Sequence, residues 1–206
     1  MTKLEAVNIM LRSIQESAVN SLESGIIDAE TAETILEEAK TRILSKGWSV
    51  NSDTNVLITR DMDGKINMPS TALRMDATDP QQSRIVPTNG TEFDLVPRDD
   101  EGTQRMWDRQ NQTFVLDQDV YFDIVYDLEF EDLPLDYQWY IATCGAEDLQ
   151  QQTIGSVVLD KFLRNRKAEA WASMQDAEDE QQDNNVLRDS ESVRNLAWRN
   201  NRRALA

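Results

Sequence analysis

Apolar residues in the first 47 positions recur at steps of three and four, the spacing of helices with one buried face. A polar break over residues 21–25 separates two such stripes, so residues 2–47 are predicted to form a helical hairpin. Asp28 is expected to cap the second helix, and Lys46 and Gly47 to end it. The stripes are Leu4, Val7, Leu11, Ile14 and Ala18, then Ala32, Ile35, Leu36, Ala39 and Ile43.

From Trp48 onward the apolar period changes to two, which is typical of strands. The strongest signal covers residues 120–131, where apolar side chains alternate with mostly acidic ones. This pattern predicts an antiparallel sheet with one face in water.

Three turn dipeptides divide this β-region into predicted hairpins. Asp63-Gly64 lies between the runs 56–58 and 65–68, which we therefore expect to pair. Asn89-Gly90 and Gln110-Asn111 occupy similar positions further along the chain.

Helical spacing returns after Pro134, in two further segments. The first is marked by apolar residues near Cys144 and ends near Gly155. Ser156 is expected to cap a second, long helix that ends or frays within the acidic run 176–183. The stripe of this helix is Leu159, Phe162, Leu163, Ala170, Trp171, Met174 and Ala177.

The order of these elements predicts an α+β fold. Two N-terminal and two C-terminal helices form a bundle, and an antiparallel β-domain is inserted between them. The expected boundaries are a helical hairpin over 1–50, the β-region over 51–132, the second helical pair over 133–182 and a C-terminal arm over 183–206.

Composition excludes several kinds of chemistry. The chain has 206 residues, no histidine, one cysteine and a formal net charge of −17. It therefore has no Ser-His-Asp triad, no histidine-ligated metal and no internal disulfide. We expect no catalytic residue, no metal and no cofactor, and DNA contact without specific binding because phosphate contacts need a basic face. No apolar run is long enough for a membrane span, so a soluble, unsecreted chain is expected.

Local motifs favour structural roles. Asp61-Met62-Asp63-Gly64 places its glycine fourth, whereas a calcium loop of the EF-hand type needs glycine sixth, so a turn is favoured over a cation site. Cys144 lies on an apolar helical face and is interpreted as a buried side chain rather than a nucleophile.

Two charged segments are candidate binding surfaces. Residues 48–134 hold 18 acids against 7 bases, and the acidic face of the last strand is expected to meet solvent, DNA or a basic partner. The tail 183–206 reverses this sign with 5 bases against 3 acids, and we expect it to be a docking arm, although a frayed terminus is the plainer alternative. The candidate acidic residues are Asp123, Asp127, Glu129 and Glu131. The candidate arm residues are Arg188, Arg194, Trp198, Arg199, Arg202 and Arg203.

Several motifs point to a known family. Near the N-terminus they are Ala6-Val7-Asn8, Ser13-Ile14, Glu16 and Gly47-Trp48. Further on they are INMPSTALRMD, MWDRQNQTF and LPLDYQWYIATCGAEDLQQQTIGS. These motifs resemble the tail tubular protein A family, the head-to-tail adaptors of autographivirus-type short-tailed phages. Gln15, Ser17 and Val50 depart from the family pattern, which has Gly, Pro and Phe there.

The resemblance implies a virion tail protein, assembled in the host cytoplasm, that forms a homo-oligomeric ring, usually a dodecamer. Such a ring joins the portal protein of the head to the tail nozzle protein (tail tubular protein B), with tail fibres near the lower junction. DNA passes through it during ejection. Two other functions stay open: a virion-associated polysaccharide hydrolase that uses a carboxylate pair, and an acidic DNA mimic that regulates a basic protein.

Overall fold

The computed structural model describes residues 1–23, 25–78 and 94–189, and it confirms the α+β class. Helices precede and follow a β-region of antiparallel strands. The helices are α1 (Lys3–Ser13), α2 (Ile27–Leu44), α3 (Leu135–Thr153) and α4 (Val157–Asp189). The strands are β1 (Ser52–Ile58), β2 (Ala72–Thr78), β3 (Leu95–Asp100), β4 (Thr103–Asp108) and β5 (Val120–Tyr126).

The chain divides into two compact units, and the division falls within α2. A helical unit comprises Met1–Ala39 with Pro134–Ala206, and a β-unit comprises Lys40–Leu133.

Helix α3 is the central element of the helical unit, because it packs against both α1 and α4. The approach to α1 and α2 is close at Gly145. A Cβ atom there would lie 2.9 Å from Met10 Cε and 3.8 Å from Leu36 Cα. Twelve of the nineteen residues of α3 are buried, Cys144 among them as predicted, so this helix forms much of the core of its unit.

The first helix is shorter than its apolar stripe predicts. Helix α1 begins at a capping box on Thr2 and stops at Ser13, and Gln15 then adopts a left-handed φ of 65°. The Asn8 side chain exchanges hydrogen bonds of 2.9 and 2.7 Å with the backbone of Val19. The chain therefore folds back on α1, and Ala18 is not helical.

The ends of α2 were predicted with mixed success. The cap at Asp28 is wrong: the helix begins at Ile27, and the carbonyl of Ile26 accepts the first hydrogen bonds. The C-terminal end is confirmed, because the helix stops at Leu44 and Gly47 follows with a φ of 78°.

Helix α4 runs antiparallel to α3 and is longer than expected. Contacts join Gln151 to Asp160 at one end of the pair and Tyr137 to Glu178 at the other. Met174 and Glu178 are buried, so the acidic run 176–183 has an inward face and does not end the helix. Helix α4 continues to Asp189, which makes the predicted end within that run wrong.

The β-unit has a three-stranded sheet of order β1-β5-β2, antiparallel throughout, and a separate hairpin of β3 and β4. Strand β5 is central, which explains why its alternation is the strongest in the sequence. A single apolar core joins the sheet and the hairpin: Ile66, Met75, Ala77, Leu95, Met106, Leu116, Val120, Phe122 and Ile124.

The Asp63-Gly64 turn exists, but the hairpin predicted around it is wrong. The carboxylate of Asp61 accepts hydrogen bonds from the amides of Asp63 and Lys65, and Gly64 has a φ of 76°. Strand β1 pairs with β5, and the chain after the turn bonds to β4 through the Ile66 carbonyl instead. The turn was thus predictable from neighbouring residues, while the pairing of the segments on either side of it was not.

The hairpin of β3 and β4 was missed by the sequence analysis. Its two-residue loop is Glu101-Gly102, with φ values of 53° and 84°. Both values are positive, as in the turn type whose twist matches that of paired strands. The predicted Asn89-Gly90 hairpin lies outside the described residues. Gln110-Asn111 does form a turn, closed by a bridge between Asp108 and Thr113.

Candidate assembly surface

The tight turn between α3 and α4 is fixed by backbone geometry. Amides of Ile154 and Gly155 both donate to the Gln150 carbonyl, and Gly155 has a φ of 64°. The Ser156 hydroxyl accepts a 3.4 Å hydrogen bond from the Leu159 amide, which confirms the predicted cap. The first turns of α4 therefore have a fixed orientation.

Four apolar side chains around this turn are exposed, and we call them the corner patch: Ile154, Val157, Val158 and Phe162. Their exposed fractions are 45%, 82%, 67% and 64%. The assignment of Phe162 to a buried stripe was therefore wrong. Exposed apolar groups that cluster in this way mark interaction sites in soluble proteins.

A groove of about 280 Å³ lies between α1 and α4, beside the corner patch. Its lining combines apolar side chains with two arginines and contains no acid. The lining residues are Ile9, Arg12, Ser13, Gln15, Leu159, Phe162, Leu163 and Arg166. In a chain with a net charge of −17, a positively charged groove is unusual.

A second groove, of about 270 Å³, lies at the turn itself and holds both charge signs. Arg164 lies 2.9 Å from Asp160 and 3.6 Å from Glu147. Burial alone would lower the pKa of Lys167, but its 2.5 Å hydrogen bond to Glu147 and the nearby negative charges outweigh burial and raise it. These charges neutralise one another between α3 and α4, so this groove has little net charge to offer a partner.

The start of α2 carries a second exposed apolar group. Ile26 and Ile27 are 48% and 77% exposed. Asp28 and Glu30 follow in the first turn of the helix.

The predicted acidic face is not one face, because β5 ends at Tyr126. Asp123 lies on the strand, where its carboxylate accepts a 2.9 Å hydrogen bond from the amide of Asn55 in β1. Asp127 follows the strand and lies 3.3 Å from the ammonium group of Lys40. Glu129 and Glu131 are exposed beside a short 3₁₀ turn. The expectation of one continuous strand over 120–131 was therefore wrong.

Most of the predicted arm lies beyond the described residues. Arg188 belongs to the last turn of α4, so this helix continues into the segment that was expected to form the arm. The other five predicted residues lie outside the described part of the chain: Arg194, Trp198, Arg199, Arg202 and Arg203.

Sequence reasoning missed the corner patch, although a signal was present. Ile26-Ile27 and Val157-Val158 are consecutive apolar pairs. Neighbouring residues on a helix point about 100° apart, so a narrow buried stripe does not accommodate both members of a pair.

No group of three or more acidic or cysteine side chains is placed to hold a metal ion within residues 1–23, 25–78 and 94–189. Over the same residues, none of the helices has the length and apolar character needed to cross a membrane.

An α+β chain with exposed apolar residues on a highly charged surface has the features of a subunit of a larger protein assembly. Comparison with known proteins identifies that assembly. The profile of the tail tubular protein family matches residues 4–184, and the chain belongs to this family. It is similar to tail tubular protein A of Klebsiella phage KP34, with 27% identity over 184 residues, which are 81% of this chain and 90% of that protein. The chain is thus a structural component of the phage tail.

Proposed function

We propose that this protein is the ring-forming adaptor that joins the portal of the phage head to the tail nozzle. In this role many copies surround a channel through which DNA passes during ejection, and the protein catalyses no reaction. The expected copy number is twelve, from the family resemblance. The corner patch is the observation that carries the proposal, since a monomer gains nothing from leaving four large apolar side chains in water.

Charge supports the DNA-conducting part of the proposal. Acids outnumber bases in the chain by 38 to 21, so a ring of many copies would have a strongly negative channel wall. Like charge on such a wall keeps the duplex from binding to it. Glu129 and Glu131 are exposed, and we assign them to the channel or to a basic partner. Asp123 and Asp127 add to the negative charge of the β-unit, and each also forms a contact within that unit.

The partners follow from the same role. One end of the ring binds the portal and the other binds the nozzle protein, with tail fibres near that lower junction. We assign portal binding to the basic C-terminal residues because arginine and tryptophan are enriched among residues that dominate binding energy.

A double substitution in the corner patch tests the adaptor role. Val157→Asp with Val158→Asp alters two side chains that are already in water, so the fold should survive. We expect light scattering to show at least about a tenfold loss of oligomer, equivalent to about 1.4 kcal/mol. Met62→Asp, at a fully exposed position in the β-unit, is the matched control and should assemble normally.

Two outcomes would contradict the adaptor. One is a wild-type chain that stays monomeric both alone and with purified portal. The other is normal assembly of the double variant. Release of reducing sugars from capsular polysaccharide would favour the hydrolase instead, and tight binding of a basic host protein by a monomer would favour the DNA mimic.

A further inference from the structure

The groove between α1 and α4 carries two arginines that lack an acidic partner within the described residues. Arg12 donates from Nε to the carbonyl of Asn8, one turn earlier in α1. Arg166 is exposed on α4 and makes no ion pair with any residue that the structure describes. Phe162 also lines the groove and is 64% exposed. The groove therefore combines exposed apolar surface with positive charge.

Arg164 provides the contrast on the same helix. It lies two residues from Arg166, yet it is paired with Asp160 and Glu147. Acids on α3 and α4 therefore reach Arg164, and no described acid reaches Arg166. An acid for Arg166 has to come from elsewhere.

The start of α2 has the complementary chemistry. Ile26 and Ile27 are exposed, and the carboxylates of Asp28 and Glu30 follow directly. Neither acid forms an ion pair with a described residue of its own chain. Two isoleucines match the apolar lining of the groove, and two acids match its two arginines.

We propose that the start of α2 in one copy docks into the groove between α1 and α4 of the next copy. This inference rests on the proposed ring and names the surfaces that close it. The two surfaces differ, so each copy has one of each to offer. Such head-to-tail contacts build rings when the rotation between copies closes. The corner patch borders the groove through Phe162 and is covered by the same contact.

Cysteine trapping tests the pairing in the full-length protein. Ile27→Cys and Phe162→Cys place one thiol on each surface, and the native Cys144 is buried, so the wild-type chain is the blank. We expect an equal mixture of the two variants, oxidised with copper phenanthroline, to give at least about tenfold more disulfide-linked dimer than either variant oxidised alone. Ala172→Cys, exposed on α4 ten residues beyond Phe162, replaces Phe162→Cys in the matched control.

The chain with both cysteines separates two kinds of interface. A head-to-tail contact links each copy to two neighbours, so oxidation should give a ladder of multimers on a denaturing gel. A self-complementary contact stops at covalent dimers, and that result would overturn the proposal. A disulfide between Ile27→Cys and Phe162→Cys no more abundant than one between Ile27→Cys and Ala172→Cys would also overturn it.

Charge exchange gives a second, independent readout. Arg12→Glu with Arg166→Glu should abolish oligomer formation, and so should Asp28→Lys with Glu30→Lys. An equal mixture of these two double variants should regain assembly, because alternating copies pair acidic α2 with the native groove and basic α2 with the reversed groove. The chain that carries all four changes should also regain assembly, since its two surfaces are reversed together. Asp176→Lys and Glu38→Lys are charge-reversal controls at exposed positions further along the same two helices and should assemble like wild type.

Failure of this inference can be distinguished from failure of the adaptor role. A chain that assembles with portal but shows neither selective disulfides nor charge rescue uses a different interface, and only the docking of α2 is then refuted. A chain that never assembles refutes both.

Discussion

Gly47 shows how one residue can satisfy two constraints. It follows the end of α2 with a φ of 78°, a region that side chains with a Cβ avoid. It also lies against β5, since a Cβ atom would be 3.0 Å from Val125 Cγ2 and 3.2 Å from Arg74 Nη2. Both the turn of the backbone and the close approach to the sheet therefore require glycine.

Substitution of Gly47 should cost more than substitution of an unconstrained glycine. Gly102 has a similar φ of 84°, but a Cβ atom there would have no neighbour within 4 Å, so Gly102→Ala isolates the backbone effect. We expect Gly102→Ala to lower the free energy of unfolding by about 1 kcal/mol. Gly47→Ala should lower it by about 2–4 kcal/mol because overpacking adds to the strain. Urea denaturation measures both losses. Equal losses would show that the sheet accommodates the added methyl group without a further loss of stability.

The Asp123 carboxylate has a structural role that its charge alone did not predict. Its charge suggested a solvent or partner surface, yet its carboxylate holds the backbone of β1. That contact lies at the irregularity of β1, where Asn55 has a left-handed φ of 57°. An acid can therefore contribute both to the negative surface and to the fold.

The pairing of α3 with α4 depends on a buried polar contact as well as on apolar packing. The Tyr137 hydroxyl donates a hydrogen bond to the Glu178 carboxylate, and both side chains are buried. A buried carboxylate that loses a donor is costly. This contact gives the buried carboxylate of the acidic run a hydrogen-bond donor.

Removal of that hydroxyl should weaken the helical unit. We expect Tyr137→Phe to reduce the free energy of unfolding by about 1–3 kcal/mol, because the carboxylate of Glu178 loses a donor while it stays buried. Ser173→Ala removes an exposed hydrogen bond to Asp136 in the same helix pair and should change the stability by less than about 0.5 kcal/mol. Circular dichroism during chemical denaturation measures both. A loss no larger for Tyr137→Phe than for the control would mean that the hydrogen bond between Tyr137 and Glu178 does not stabilise the fold.

Elements were predictable from sequence where the signal is local. The apolar stripes gave α3 and most of α2, and Asp63-Gly64 gave its turn, because helix period and turn chemistry depend on neighbours in the chain. The pairing of β1 with β5 was missed, since it joins residues that are 62 to 73 positions apart in the chain and no local pattern encodes it. The corner patch was missed because apolar period was interpreted as burial, and the sequence does not say which side of a helix its own chain leaves uncovered.

At the scale of the whole molecule, charge is unevenly distributed. The chain has a net charge of −17, but the residues after Asp189 contain four arginines and one acid. Opposite charges on the body and the tail of each copy favour an ordered arrangement of copies and partners. Helix α4, with 33 residues and therefore about 50 Å long, leads directly to this basic segment.

Removal of the basic segment should separate folding from attachment to the head. Helix α4 extends to Asp189, so a truncation after that residue keeps the whole helix, which a cut at residue 183 would not. We expect the truncated chain to retain its circular dichroism and unfolding midpoint, since Met174 and Glu178, which pack in the core, are unaffected. Portal binding should be lost, because arginine and tryptophan side chains provide much of the energy of compact interfaces.

Substitutions within the segment then identify which side chains the portal recognises. Trp198→Ala should weaken portal binding by about tenfold to a hundredfold, a milder effect than truncation. Conversion of Arg194, Arg199, Arg202 and Arg203 to lysine keeps the charge but removes the paired hydrogen bonds that a guanidinium makes to a carboxylate. If binding needs that geometry, the lysine variant should resemble the truncation in a pull-down with purified portal. If it needs charge alone, the lysine variant should bind as wild type does at low salt. A truncated chain that still attaches tails to DNA-filled heads would show that portal binding lies elsewhere in the protein, with the corner patch and the grooves of the helical unit as the next surfaces to test.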